Sequence, residues 1–142
     1  MKTVKHILKN KPAVVYSVHQ DVSVLEALKI MMEKNISALL VIESGYLQGI
    51  FTERDYARKI ILQGKSSKDT LIREVMTTDP YTITQHEAIE RCMQLMTNNH
   101  FRHLPVLDNG TVIGMLSIGD LVKYIIEDQR QTINQLESYI NS

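Results

Sequence analysis

Hydrophobic and polar residues follow the same order twice along this chain. Each round opens with a short helical lead-in, at Val4 to Lys9 and again at Leu71 to Met76. A short β segment comes next, then a helix with apolar residues at intervals of three and four, two strands joined by a tight turn, and a further helix. The pattern therefore predicts one arrangement of α and β elements that is used twice.

The first long helix of each round is predicted from its start and from its apolar face. The starts are hydroxyl residues with a glutamate three positions later, Ser23 with Glu26 and Thr84 with Glu87, which is the capping-box pattern. The apolar positions are Val24, Ala27, Leu28 and Met31, and then Ile89, Cys92, Met93 and Met96. Methionines on such a face can form a pliable binding groove. Because both rounds have this face, we interpret it as core.

Each round also predicts a β segment and a strand pair. The β segments are Tyr16 to Val18 and Tyr81 to Ile83, and the strand pairs are Ser37 to Ile42 with Tyr46 to Phe51, and Arg102 to Leu107 with Thr111 to Leu116. Asn109-Gly110 joins the second pair, and Asn-Gly is a strong hairpin signal because both residues tolerate a positive φ.

The two rounds align without a gap through their hairpins, at an interval of 65 residues. Leu39, Val41, Gly45, Gly49 and Asp55 recur as Leu104, Val106, Gly110, Gly114 and Asp120, and Thr52 falls opposite Ser117. Self-similarity at a fixed interval indicates an internal repeat. A unit of about 60 residues is only marginally stable alone, so we expect the two halves to share a core.

The boundaries follow from the helix ends. A helix from about Glu53 to Leu62, with Gly64 after its last turn, closes the first repeat. We place the first repeat and its lead-in at residues 1–64, a linker at 65–70, the second repeat at 71–128 and a C-terminal helical extension at 129–142.

The helix after Asp120 has no glycine or proline to end it and is predicted to continue almost to Ser142. A heptad-like series runs along it, made of Val122, Ile125, Gln129, Thr132, Leu136 and Tyr139. Two interpretations stay open: the helix packs back on its own domain, or it contributes to a dimer.

Charge and composition exclude several function classes. Sixteen basic and sixteen acidic residues cancel, so no overall field attracts nucleic acid, and we interpret the cluster Arg58, Lys59, Lys65 and Lys68 as a solvated face. One cysteine, Cys92, allows no intrachain disulfide and fits a reducing compartment. No apolar run has the features of a signal peptide or approaches the roughly 20 residues of a membrane span. We expect a cytoplasmic protein without a membrane or nucleic-acid partner.

No catalytic or metal site is predicted. The five histidines lack the i, i+4 spacing of a metal site, and Cys92 falls on a packed helix face without an activating partner. There is no nucleophile–base pair and no glycine-rich phosphate loop. We therefore expect a protein that is not an enzyme and requires no cofactor.

The duplicated pairs Thr52 with Asp55 and Ser117 with Asp120 are the candidate chemistry. Each pair resembles a capping box, and this reading assigns them a structural role alone. A carboxylate at a helix start can instead accept hydrogen bonds from a ribose diol, while the hydroxyl and the backbone N–H groups reach a phosphate. Two such half-sites at one repeat interval suggest two nucleotide clefts.

Basic residues make the two halves chemically unequal. Arg102 and His103 open the second hairpin, where the first has Ser37 and Ala38, and Arg54 has no basic equivalent in the second repeat. They are either a solvated strand end or phosphate ligands, for which the guanidinium fork is suited.

Four segments make the sequence resemble a tandem CBS-domain protein (a Bateman module) of the stand-alone bacterial type, over residues 3–127. They are Ile36 to Val41, Gly49 to Asp55, Phe101 to Val106 and Gly114 to Asp120. The resemblance implies an α+β fold of two β-α-β-β-α repeats related by pseudo-two-fold symmetry, with two clefts between them and pairing into a homodimer.

The resemblance also implies the ligands and their residues. The ligands are AMP, ADP or ATP, NAD(H) or S-adenosylmethionine. In one cleft Thr52, Arg54 and Asp55 would face Thr82, Ile83, Phe101, Arg102, His103 and Pro105, and in the other Ser117 and Asp120 would face Ser17, Val18, Ile36, Ser37 and Ala38. We predict a non-enzymatic energy or redox sensor, whose regulated partner the sequence does not name. The competing hypothesis is a structural or interaction module in which both motifs only cap helices.

Overall fold

A computed structural model describes residues 2–12 and 14–141. In chain order the elements are α1 (Val4–Lys9), β1 (Ser17–Val18), α2 (Val24–Lys34), β2 (Ala38–Glu43), β3 (Tyr46–Thr52), α3 (Glu53–Tyr56), a π-helical segment (Ala57–Ile61), α4 (Ile72–Val75), β4 (Thr77–Thr78), α5 (Ile89–Asn99), β5 (His103–Asp108), β6 (Thr111–Ser117) and α6 (Ile118–Ile140). The α+β class and the long C-terminal helix are confirmed.

The two hairpins have the same geometry. Ser44 and Gly45 turn the first with φ of 51° and 83°, and Asn109 and Gly110 turn the second with φ of 50° and 82°. Two consecutive residues with positive φ match the right-handed twist of the flanking strands. Both hairpins carry a register shift at the same place, after Val41 and after Val106.

The sheets differ in size because their outer strands differ. The first sheet has the order β1-β2-β3-β4, with β1 parallel to β2. The second sheet consists of β5 and β6, which pair antiparallel. Ile83 adds one parallel bridge to this sheet, to Val106 of β5. The predicted strand at Tyr81 to Ile83 is therefore wrong in extent, since the ladder bonds there are the Ile83 N–H to the Pro105 carbonyl (3.0 Å) and the Leu107 N–H to the Ile83 carbonyl (2.8 Å).

The capping of α2 is as predicted, whereas the start of α5 differs from the prediction. The Ser23 hydroxyl caps α2 by accepting from the Glu26 N–H at 3.1 Å. The capping box predicted for Thr84 and Glu87 does not start α5, which is preceded by Ala88. Thr84 belongs to a turn instead, where its hydroxyl accepts from the N–H of His86.

The lead-in helices are exchanged between two lobes. In lobe A, α2 and the first sheet pack on a core that includes Ile72 and Val75 of α4. In lobe B, α5, α6 and the second sheet pack on a core that includes Val4 and Ile7 of α1. Equivalent backbone bonds hold both, from the Val4 N–H to the Glu87 carbonyl (3.0 Å) and from the Ile72 N–H to the Val22 carbonyl (2.9 Å).

A third apolar cluster joins the lobes. Its buried residues Ala38, Leu40 and Ile50 come from the first sheet, and Val112 and Met115 of β6 pack against them. The two sheets therefore face each other, in line with the pseudo-two-fold arrangement, and the spaces at the ends of this contact are where residues of both repeats meet.

Candidate functional site

A cleft of ≈ 1060 Å³ lies between the lobes, and we call it the Asp55 cleft. Its walls come from both repeats. The lining residues are Ser37, Ile50, Thr52, Glu53, Arg54, Asp55, Arg58 and Lys59 from the first, and Thr77, Pro80, Tyr81, Met96, Thr97, Asn99, His100, Phe101, Arg102, His103 and Ile118 from the second.

Thr52 and Asp55 are fixed by the start of α3. The Asp55 N–H donates to Thr52 Oγ1 at 3.1 Å, and the Thr52 N–H donates back to Asp55 Oδ2 at 2.9 Å. The capping box that the sequence predicts is thus complete. It holds the carboxylate at the floor of the cleft, where only 11% of the side chain is exposed.

Two further groups hold the other carboxylate oxygen. The Thr77 hydroxyl donates to Asp55 Oδ1 at 3.1 Å, and Lys59 Nζ lies 3.1 Å from the same atom. Lys59 also donates to the Val75 carbonyl at 2.9 Å. Lys59 lies in the π-helical turn, in which the Leu62 N–H donates to the Ala57 carbonyl.

Positive charge predominates on the cleft wall. Four cationic side chains, Arg54, Arg58, Lys59 and Arg102, accompany two carboxylates, Glu53 and Asp55. Arg54 crosses between the lobes, because its Nη1 donates to the His100 carbonyl at 2.6 Å. Such a wall favours an anionic occupant.

An aromatic pair also lines the cleft. The rings of Tyr81 and Phe101 are stacked with centroids 6.1 Å apart and an angle of 30° between their planes. Phe101 also packs on the core of lobe B, whereas Tyr81 is 49% exposed. This pair offers a flat apolar surface to a planar group.

His103 joins the two repeats beside the cleft. Its Nε2 lies 3.2 Å from the Ser37 hydroxyl. Burial lowers the pKa of His103 below its ordinary value, and repulsion from Lys11 lowers it further. The imidazole is therefore neutral at pH 7, and the predicted cationic contact from this residue requires protonation.

The second half-site differs from the first. Ser117 and Asp120 also complete a capping box, with bonds of 2.8 and 3.1 Å. Lys11, however, reaches across from the end of α1, and its Nζ lies 2.7 Å from Asp120 Oδ2 and donates to the Met115 carbonyl. Burial raises the pKa of Asp120, but the bonds from Lys11 and Ser117 outweigh it, so the pKa lies below its usual value.

The predicted site residues fall into three groups. Thr52, Arg54, Asp55, Phe101, Arg102 and His103 line the Asp55 cleft, and Ser37, which was assigned to the other cleft, lines it too. Asp120 lines a separate cavity of ≈ 480 Å³ between α1 and α6. The remaining residues line neither of these two cavities, and they are Ser17, Val18, Ile36, Ala38, Thr82, Ile83, Pro105 and Ser117.

Sequence reasoning missed the partners of both carboxylates. Lys59 stands four residues after Asp55, a spacing that signals an ion pair on a helix. Thr77 and Lys11 gave no such signal, because tertiary contacts alone bring them to Asp55 and Asp120.

The surroundings of Cys92 disfavour a reactive thiol. Burial, and then the charge of Glu87, raises the pKa of the Cys92 thiol to about 11, so the thiol is protonated at neutral pH. Among residues 2–12 and 14–141, no three His, Cys, Asp or Glu side chains group as metal ligands would. Over the same residues, no helix has both the length and the apolar character to cross a membrane.

Comparison with known proteins gives consistent matches. The family model described as CBS domain matches twice, at residues 4–62 and 72–127. CBS domain-containing protein CBSX3, mitochondrial, of Arabidopsis thaliana is 44% identical over 125 residues, or 84% of this chain and 61% of that protein. CBS domain-containing protein YhcV of Bacillus subtilis (strain 168) is 31% identical over 85% of this chain and 84% of that protein. The chain thus spans less than two thirds of the first relative.

Solved structures agree with these matches. A CBS-domain protein from Burkholderia ambifaria MC40-6 has a TM-score of 0.87 and 49% identity, covering 90% of this chain and 96% of that one. The CBS domain pair of protein MJ0100, solved with 5′-methylthioadenosine and S-adenosyl-L-methionine, has a TM-score of 0.79 and 29% identity, covering 90% of this chain and 98% of that one.

Proposed function

This chain belongs to the CBS-domain family, with two copies of the domain, and from that premise we propose that it is a non-enzymatic regulatory module that binds adenine nucleotides between its repeats. AMP, ADP, ATP and NAD(H) are the candidate ligands. The bound nucleotide would report the energy or redox state of the cell. The adenosine compounds held by the MJ0100 pair support this ligand class.

The observation that carries the proposal is the composition of the Asp55 cleft. It places a carboxylate and a hydroxyl at a helix start, four cations and an aromatic pair around one space of ≈ 1060 Å³. An adenine nucleotide contains a flat base, a sugar diol and a phosphate, and each has a matching wall here.

The contacts suggest how the nucleotide lies. The base rests on Tyr81 and Phe101, and the phosphates face Arg54 and Arg102. The ribose diol donates to Asp55, replacing the bond that Thr77 makes to Oδ1. Because Arg54 and Arg102 come from different repeats, a phosphate bound to both would link the two lobes.

Isothermal titration with AMP, ATP and NAD(H) tests this function, with Asp55→Asn as the variant. We expect at least one nucleotide to bind the parent chain and the variant to bind it about tenfold or more weakly, because a hydrogen bond to a charged group contributes roughly 1.5–3 kcal/mol. Asp108→Asn, at the exposed end of β5, is the matched control and should bind like the parent. Equal affinities for Asp55→Asn and the control would remove the assignment.

A second candidate function has one observation in its favour. Both capping boxes are complete, and both carboxylates already pair with a lysine. In a purely structural or interaction module, Asp55→Ala would lower the free energy of unfolding by about 1 kcal/mol, and none of the three nucleotides would bind the parent chain.

A further inference from the structure

The C-terminal half of α6 projects from the lobe that carries it. Leu121 is buried, and Tyr124 and Ile125 pack on the core of lobe B. From Gln129 to Asn141 each residue is exposed. A helical stretch of about 12 residues is only marginally stable in water without packing, so this half of α6 calls for a covering partner.

An apolar stripe runs along the uncovered side with regular spacing. Val122, Ile126, Ile133, Leu136 and Ile140 are 44%, 48%, 55%, 57% and 77% exposed, and Gln129 stands in line with them. The successive intervals alternate between four and three, which is the heptad spacing of a coiled coil. We call these six residues the α6 seam, and it extends for about 27 Å at 1.5 Å per residue.

We propose that the α6 seam pairs, parallel and in register, with the α6 seam of a second copy of this chain. The seam places isoleucine at each a position (126, 133 and 140) and valine, glutamine and leucine at the d positions (122, 129 and 136). β-Branched residues at a with leucine at d, the combination that Ile133 and Leu136 supply, favour two parallel helices.

Gln129 argues for self-pairing in this register. In a parallel pair it meets the same residue of the second copy, and two amides can donate to and accept from each other. In an antiparallel pair of equal overlap it would lie against Ile133, where its polar atoms would be left unsatisfied.

The flanking residues are compatible with this pairing. The e positions are Lys123, Arg130 and Glu137, and the g positions are the uncharged Ile125, Thr132 and Tyr139. In a parallel pair each g residue faces an e residue of the partner helix, so no two like charges meet. This inference is independent of the nucleotide proposal.

Cross-linking and sedimentation of the full chain test the seam. Gln129→Cys chains should form a disulfide-linked dimer on mild oxidation, whereas Ser138→Cys on the opposite side of α6 should stay unlinked. The parent chain, whose single cysteine Cys92 is buried, gives the background level of linking. Ile133→Asp should weaken dimerisation about tenfold or more, because two charges would be buried at one layer, and Gln135→Asp is the exposed control.

Ile133 is exposed, so its replacement should leave the fold intact, and circular dichroism checks this. Linking of Gln129→Cys alone, lost when Ile133→Asp is added, supports the pairing. The pairing would be overturned by a monomeric parent chain, by equal linking at positions 129 and 138, or by a dimer that Ile133→Asp does not affect. A monomeric parent chain would instead favour a helix of another protein as the partner of the seam.

Discussion

Two glycines at the same place in the two hairpins meet different neighbours. A Cβ atom added to Gly49 would lie 2.7 Å from the Thr77 carbonyl oxygen and 2.9 Å from Met76 Sδ. At Gly114 the nearest atom would be Cδ2 of Leu8, at 3.0 Å. A flexible leucine can turn aside, whereas the carbonyl of Thr77 is fixed by the pairing of β4 with β3.

We therefore expect Gly49→Ala to lower the free energy of unfolding by about 1–3 kcal/mol, the usual cost of overpacking. Gly114→Ala should cost less, since only a side chain must move. Urea denaturation of the two variants beside the parent measures both. An equal loss in the two variants would contradict the argument from the β4 backbone.

His103 gives the protein a dependence on pH. Its pKa in the folded chain lies below the ordinary value of about 6.5, so the unfolded chain takes up the proton first as the pH falls. Stability is therefore expected to fall as the pH decreases through the range below about 6.5. His103→Gln should reduce the difference in unfolding free energy between pH 8 and pH 5.5, and His86→Gln, an exposed control, should not.

At the scale of elements, each lead-in helix packs in the core of the lobe formed by the other repeat. α1 precedes the first repeat in sequence but completes the core of lobe B, where Ile7 is 5% exposed. α4 stands in the same relation to lobe A through Ile72 and Val75. Neither lobe can be assembled from one repeat alone.

We expect Ile7→Ala to destabilise the chain by about 2–5 kcal/mol, the range for large-to-small core changes. The loss should appear in lobe B, more than 75 residues away in sequence from Ile7. Hydrogen exchange of the α5 amides should become faster while that of α2 changes less. Faster exchange confined to α2 would contradict the assignment of α1 to the core of lobe B.

Much of this element level could be predicted from the sequence, because hairpins and amphipathic helices follow local rules. The Asn109-Gly110 turn and the apolar faces of α2 and α5 are as expected. The helix start predicted at Thr84 is wrong, because a hydroxyl residue with a glutamate three positions later also occurs in a turn. Ile125, a member of the heptad-like series predicted in α6, packs on the core of lobe B, whereas its neighbour Ile126 is 48% exposed.

At the scale of the whole molecule, the sequence could name the two carboxylates but not their surroundings. The capping boxes of Asp55 and Asp120 depend on neighbours three residues away, and they are formed. Thr77, which donates to Asp55, and Lys11, which pairs with Asp120, come from other elements, and Lys11 lies 109 residues from Asp120. Such partners follow only from the tertiary packing within each lobe.

The two carboxylates consequently have different environments in one molecule. Asp55 opens on a cleft between the lobes with a surplus of cations, whereas Asp120 is held by Lys11 beside α1. Both carboxylates already pair with a lysine, so a ligand that needs a free carboxylate must displace Lys59 at Asp55 or Lys11 at Asp120. The difference between the half-sites lies in the cationic and aromatic walls that surround Asp55. Unequal occupancy of the two half-sites is the expected result.

The placement of α1 also orders events on the ribosome. Lobe A can fold once Val75 has emerged, whereas Val4 and Ile7, which precede lobe A in the chain, have core partners as late as Leu121. Elongation at 5–20 residues per second separates Val4 from Leu121 by roughly 6–23 s. From the emergence of Val75 until that of Leu121, the nascent chain has α1 unburied beside a folded lobe A, so a helix made before lobe A is packed only after it.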